Sequence, residues 1–162
     1  MRTVNIFLMS SLLAAAAGCQ PGGSVDVRAI KEVVADGLSV RIEIPKRDFT
    51  VGDEFIVKLT ARNTTSRPIK IDARTGTPVY VRLRRHTGVG WEEIKTYPQA
   101  DVMAVNPWTL KARAERNFLV RLKVEPDWPT GEVLELTGEL NSRPEAAPGV
   151  TITARLLPPP EK

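Results

Sequence analysis

The chain predicts an all-β domain, an antiparallel sandwich of about seven to nine strands, on three observations. Apolar and polar residues alternate with a period of two in six separate stretches, the pattern of strands with one buried face. Clusters of Gly, Asn, Asp, Pro and Thr separate the stretches. The spacing from one turn to the next is that of a sandwich of short strands.

Taken in order, Ile30–Ala35 reads equally as a helical turn or a strand until Asp36-Gly37, a two-residue hairpin turn, favours the strand. Leu38, Val40, Ile42 and Ile44 then alternate with polar neighbours up to Pro45. Val51-Gly52-Asp53 is a turn before Phe55, Val57, Leu59 and Ala61, and Asn63 to Ser66 closes that strand. Ile69–Ile71 is a shorter candidate. Val79, Val81 and Leu83 lead through Thr87-Gly88-Val89-Gly90 to Trp91–Thr96. Residues 98–115 are the least periodic, a long crossing loop with a short strand near Leu110. Phe118, Val120, Leu122 and Val124 precede the turn at Pro129-Thr130-Gly131. Leu134, Leu136 and Leu140, then Val150, Ile152, Ala154 and Leu156, complete the set.

The first twenty residues follow a different logic. Arg2 is followed by an uncharged, apolar-biased stretch from Val4 to Ala17, then Gly18 and Cys19. This is the layout of a secretory signal, and it is short for a membrane span. Ala16-Ala17-Gly18-Cys19 resembles the lipobox of bacterial lipoproteins, with Ala16 where Leu is usual. The resemblance implies cleavage before Cys19 and a diacylglycerol thioether on its sulfur, often with a third acyl chain on the new amine. Cys19 is the one cysteine of the 162 residues, and lipidation accounts for an exported thiol with nothing to pair with. Two or three acyl chains anchor stably where one is marginal. Gln20, rather than Asp, after the cysteine implies the outer membrane of a Gram-negative envelope, with the domain facing the periplasm. The expected organisation is therefore a signal peptide over residues 1–18, a lipidated tether over 19–26, the sandwich over 27–157 and a tail over 158–162.

The stretch from Leu38 to Ile71, with Phe49, Val51-Gly52-Asp53-Glu54, Asn63 and Pro68, resembles the opening of bacterial immunoglobulin-like domains. Those similar to the Bacillus intracellular proteinase inhibitor family are included. Trp128-Pro129-Thr130-Gly131 resembles a late-hairpin turn of such domains. These motifs are structural and imply an immunoglobulin-like fold, not an activity.

Chemistry-bearing patterns are sparse. His86 is the single histidine, at a hairpin end, and no GxSxG is present. One histidine and a lipidated cysteine do not make a zinc site, no Asp-rich spacing suits calcium, and no cofactor is expected. The charge of +4 comes from 23 basic and 19 acidic side chains in good mixture, unlike the concentrated patch of a nucleic-acid binder. Glu135 and Glu139 would pair across a hairpin with Arg121 and Lys123. Outward Lys58, Arg62, Arg82, Arg84, Arg121 and Lys123 would form a basic face if their strands are neighbours. Trp108 and Trp128 sit beside prolines, either as exposed anchors or as plugs of the sandwich ends.

The function expected is that of a membrane-anchored, non-enzymatic binding or scaffolding module. Its partner would be an envelope protein or a glycan, contacted through Arg82, Arg84, Trp108 and Trp128. A lipid-anchored proteinase inhibitor using residues 98–109 is the alternative. An envelope hydrolase is a weaker one, for want of a nucleophile and base.

Overall fold

A computed structural model describes residues 28–72, 75–98, 107–142 and 148–158. The signal segment, Cys19, the tether and most of the 98–109 loop lie outside the described residues, as do the last four residues of the tail.

Eleven strands follow in order among the described residues. They are β1 (Ala29–Ala35), β2 (Leu38–Ile44), β3 (Asp48–Phe49), β4 (Glu54–Asn63), β5 (Ile69–Ile71) and β6 (Val79–His86), then β7 (Trp91–Tyr97), β8 (Trp108–Leu110), β9 (Glu115–Lys123), β10 (Val133–Leu140) and β11 (Val150–Leu156). One sheet runs β1-β2-β4-β9, the other β3-β11-β10-β6-β7, and β5 pairs with β8 as a small third ribbon. The expected antiparallel sandwich is observed. The strand absent from the sequence reading is β3, whose two residues are too few to show a period. It runs parallel to β11.

The alternation sorts the side chains as the sequence implies. Val40, Ile42, Ile44, Val57, Leu59 and Ala61 from the first sheet are fully buried. They meet Val81, Leu83, Leu134, Leu136, Val150 and Leu156 from the second, equally covered or nearly so. With no disulfide to contribute, this core supplies the stability, each large aliphatic side chain adding about 1.5–3 kcal/mol by leaving water.

Turn chemistry fixes the register. Asp36 and Gly37 both have positive φ, 49° and 81°, the backbone of the two-residue turn that matches strand twist, and Ala35 pairs directly with Leu38. Asn63, wholly buried, ends β4 as expected and does more than cap one turn. Its Nδ2 donates to the carbonyls of Arg67 (2.7 Å), Leu110 (3.1 Å) and Lys111 (3.1 Å), while its Oδ1 accepts from the Thr65 amide (2.9 Å) and hydroxyl (2.8 Å). It thereby ties the end of β4 to the loop after β8.

One expectation is corrected. β9 and β10 do not form a hairpin but belong to different sheets. Gly131, at φ 76°, turns the chain over the end of the sandwich, and its amide donates to the Leu156 carbonyl at 2.8 Å. Arg121 and Lys123 therefore never face Glu135 and Glu139.

Candidate partner-binding surface

The outer face of the second sheet carries the carboxylates that sequence reasoning assigned elsewhere. β10 lies between β11 and β6, setting Glu139 opposite Tyr80, Thr137 opposite Arg82 and Glu135 opposite Arg84. Outward residues on β6 are spaced by two, so Arg82 reaches one neighbouring strand on each side. Its Nε donates to Glu139 Oε2 at 3.0 Å and its Nη1 to Glu93 Oε2 at 2.9 Å. Glu93 also accepts from the Thr96 hydroxyl at 2.6 Å. This last bond is the main cause holding the Glu93 carboxyl below its ordinary value; burial opposes it and Arg82 adds to it. The Glu93 bond is likewise the main reason the Arg82 guanidinium titrates above its usual value. Thr137 and Thr151 hydroxyls meet at 3.0 Å on the same face. At the upper edge Asn141 Nδ2 donates to Thr75 Oγ1 and to the Thr77 carbonyl, both at 2.7 Å.

The basic face expected from the sequence divides in two. Arg82 and Arg84 are on the second sheet, whereas Lys58, Arg62, Arg121 and Lys123 lie on the outer face of the first, on adjacent β4 and β9. There Ile56 stands opposite Arg121, Lys58 opposite Leu119 and Arg62 opposite Glu115. Ile56, Lys58 and Leu119 border an open groove of about 370 Å³ whose other wall is Arg28, Glu43, Ile44 and Pro45. Arg28 is ion-paired with Glu43 at its rim. The period of two shows which side chains point outward, but not which strands are neighbours.

One of the four contact candidates, Trp128, is corrected. Trp128 is 4% exposed and packs in the core, its ring 6.4 Å from that of Tyr97. It plugs the end of the sandwich among Phe49, Phe55, Leu83 and Leu134. The Tyr97 phenol is pushed up, mainly by burial and then by the charge of Glu125. Trp108 is half-buried, edge-on to Phe118 at 5.7 Å and covered by the Arg116 guanidinium at 4.9 Å. Its indole nitrogen is enclosed without a hydrogen-bond partner. An aromatic beside proline in a loop reads alike whether it anchors a partner or closes a core. The core needs large side chains at its open ends, and it takes Trp128.

His86 lies exposed at the end of β6, where its Nδ1 accepts from the Gly88 amide at 3.2 Å and its ring meets Trp91 edge-on at 5.2 Å. It stabilises the β6–β7 turn. Among the described residues no three His, Cys, Asp or Glu side chains converge as metal ligands would.

No family model and no curated protein matches the chain. Solved structures do. Spo0M, a sporulation control protein from Bacillus subtilis, aligns with a TM-score of 0.58 at 12% identity, over 78% of this chain and 51% of its own. The chain spans about half the length of that protein, and at this identity the likeness shows the all-β fold alone. A cycloisomaltooligosaccharide glucanotransferase from Paenibacillus sp. aligns with a TM-score of 0.47 at 12% identity, over 72% of this chain and 13% of the enzyme. The alkylpurine DNA glycosylase AlkC of Pseudomonas fluorescens gives 0.46 at 10% identity, over 74% and 30%. At these scores neither bears on what this chain does.

Proposed function

We propose that the protein is a lipid-anchored envelope protein whose sandwich works as a non-enzymatic binding or scaffolding module. The observation that carries the reading is the ordered run of Arg2, an uncharged stretch, Ala16-Ala17-Gly18 and then Cys19, the one cysteine of the sequence. Gln20 in second place supports the outer membrane, with the domain in the periplasm.

The outer face of the second sheet supports a binding role for Arg82 and Arg84. It is polar and carries Arg82, Arg84, Glu93, Glu135 and Glu139 from three adjacent strands, a surface suited to a protein partner with complementary charge. With Trp128 in the core and Trp108 under Arg116, the platform of exposed aromatic rings that a glycan would stack upon is missing from the two positions proposed for it. A protein partner is therefore favoured.

Intact-mass spectrometry of detergent-extracted wild type and Cys19→Ser tests the anchor. The expected mass begins at Cys19 and carries diacylglycerol, with or without a third acyl chain, and Cys19→Ser loses both cleavage at that point and the lipid. A chain that is unlipidated, or that retains residues 1–18, sinks the reading. Crosslinking in the same extract, compared with Arg84→Glu, tests the binding face. An unchanged set of crosslinked partners would remove it from consideration.

A further inference from the structure

Among the described residues the register places four of the eight exposed large hydrophobic side chains, Val51, Val89, Trp91 and Val133, at one end of the sandwich. The chain enters at Arg28, beside Ala29, which pairs with Ile44 at the last position of β2. The first residue of β4, Glu54, pairs with the last of β9, Lys123, at this same end. In the second sheet, Leu156 at the end of β11 pairs with Phe49. Val133 at the start of β10 pairs with Arg155, and Leu134 with Arg85. Phe49 stacks on Phe55 with centroids 4.1 Å apart, which locks the corresponding ends of the two sheets together.

Val89, fully exposed, is at the tip of the β6–β7 turn at this end, and Trp91 follows it with 38% exposure. Carrying the β10–β6 register one residue beyond Leu134 sets Val133, 53% exposed, beside His86, whose ring meets Trp91. Val133, His86, Trp91 and Val89 thus form one continuous rim. Val51, on the turn between β3 and β4, is exposed across the same end. Of the other four, Ile30 and Ile56 lie on the first sheet, paired with Glu43 and Arg121, Leu119 lies midway along its strand, and Val34 sits at the far end, beside the β1–β2 turn.

We propose that this end is a membrane-docking tip, with Val89, Trp91 and Val133 seated in the interfacial layer of the bilayer that holds the anchor. The proposal rests on the reading of Cys19 as the lipidated residue. The occupant follows from where the chain enters: nine residue steps separate Cys19 from Arg28, so the end bearing Arg28 stays within about 30 Å of the lipid and is the end that the anchor brings to the bilayer. Tryptophan favours the headgroup level, where its ring is half solvated. Each apolar side chain that leaves water there adds to the attraction of the acyl chains. Basic Arg28, Lys46, Arg47, Arg85, Lys123 and Arg155 alternate with acidic Asp48, Glu54, Glu92, Glu125, Asp127 and Glu132 at this end, so neither sign dominates and the apolar side chains carry the contact. Docked in this way, the sandwich stands on its end, and the Arg82–Arg84 face is left upright in the periplasm.

The lipidated full-length product, reconstituted in vesicles of phosphatidylethanolamine and phosphatidylglycerol, provides the test. With Cys19 blocked by lipid, Val89→Cys and Val34→Cys each offer a single thiol for a nitroxide label. The label at 89 should show a several-fold higher ratio of oxygen to water-soluble nickel accessibility than the label at 34. Equal, water-like ratios on a chain whose mass shows the lipid overturn the docking and leave the anchor standing. A label at 89 that is shielded from both reagents places a protein there instead and also overturns it. A mass without acyl chains, with a second label on Cys19, overturns the anchor and the docking together.

Discussion

Gly138 of β10 lies directly against Leu59 of β4 across the core: a Cβ on Gly138 would stand 2.2 Å from Leu59 Cδ2 and 3.2 Å from its Cγ. The missing side chain is therefore what lets the two sheets close at this point. Leu59 is fully buried, so it moves only by displacing its neighbours. Gly138→Ala should cost about 1–3 kcal/mol by overpacking, read as a lower urea midpoint. Leu59→Val in the same chain should recover part of that loss, because the two positions share one space. A neutral Gly138→Ala, or costs that simply add in the double variant, would show that the close approach does not exist in solution.

Asn63 makes a second prediction through satisfaction rather than space. Its side chain serves three carbonyls and two donors while wholly buried. Asn63→Ala strands several of these groups, each costing about 1–3 kcal/mol when it cannot reach water. A total loss of about 3 kcal/mol is expected, with faster hydrogen exchange at the Thr65 amide. Asn63→Asp keeps the acceptor but loses the donors, so it should protect Thr65 while still destabilising the chain. Equal exchange at Thr65 in both variants would contradict this division of labour.

The sequence made inward and outward legible but not adjacency. Period-two alternation identified Val57, Leu59, Leu83, Leu134 and Ile152 as core, because each strand records its own sidedness in its residues. Asp36-Gly37 was legible for the same local reason, since few residue pairs accept two positive φ values in succession. The pairing of Arg82 with Glu139 was not legible, because it depends on β10 sitting beside β6 rather than β9, and that with Glu93 depends on the register shift at Leu83 and Arg84 within the β6–β7 hairpin. The place of β10 is set by the loop over Gly131, whose composition reads alike for a hairpin or a crossover. Trp128 failed for a related reason: its neighbours in sequence are turn residues, and its burial comes from Tyr97 and Phe55, remote along the chain.

Acid stability should carry the mark of Asp53. Lys46 Nζ stands 2.8 Å from its Oδ2, and the Thr50 amide donates to the same oxygen at 3.0 Å. The Lys46 bond is the main cause holding the Asp53 carboxyl below its usual value, with the Thr50 amide next. A carboxyl depressed in the folded state binds fewer protons there than in the unfolded chain, so it stabilises the fold above about pH 4. That contribution is lost as pH falls through the folded value. Asp53→Asn should lower stability at pH 7 by about 1 kcal/mol or less, since the site is partly open to water. It should also flatten the acid limb of the stability curve. An acid limb identical to that of wild type would leave Asp53 without a role in it.

Arg82 is expected to behave in the opposite sense once removed. It separates and neutralises two carboxylates, Glu139 at 3.0 Å and Glu93 at 2.9 Å, that strand pairing holds on either side of it. In Arg82→Gln these two keep their places without the cation between them, and their mutual repulsion disfavours the doubly charged pair. The variant should therefore lose most stability at neutral pH, by about 1 kcal/mol or less because all three groups are substantially exposed. The loss should shrink as pH falls toward the carboxylate range and the charge repulsion weakens. Salt should shrink it as well, since the repulsion acts partly through water. Denaturant midpoints of wild type and variant at pH 7 and pH 4.5, in low and high salt, give the comparison. A deficit equal under all four conditions would mean that Arg82 contributes by packing its aliphatic stem on the sheet, and that its charge is idle in the isolated domain.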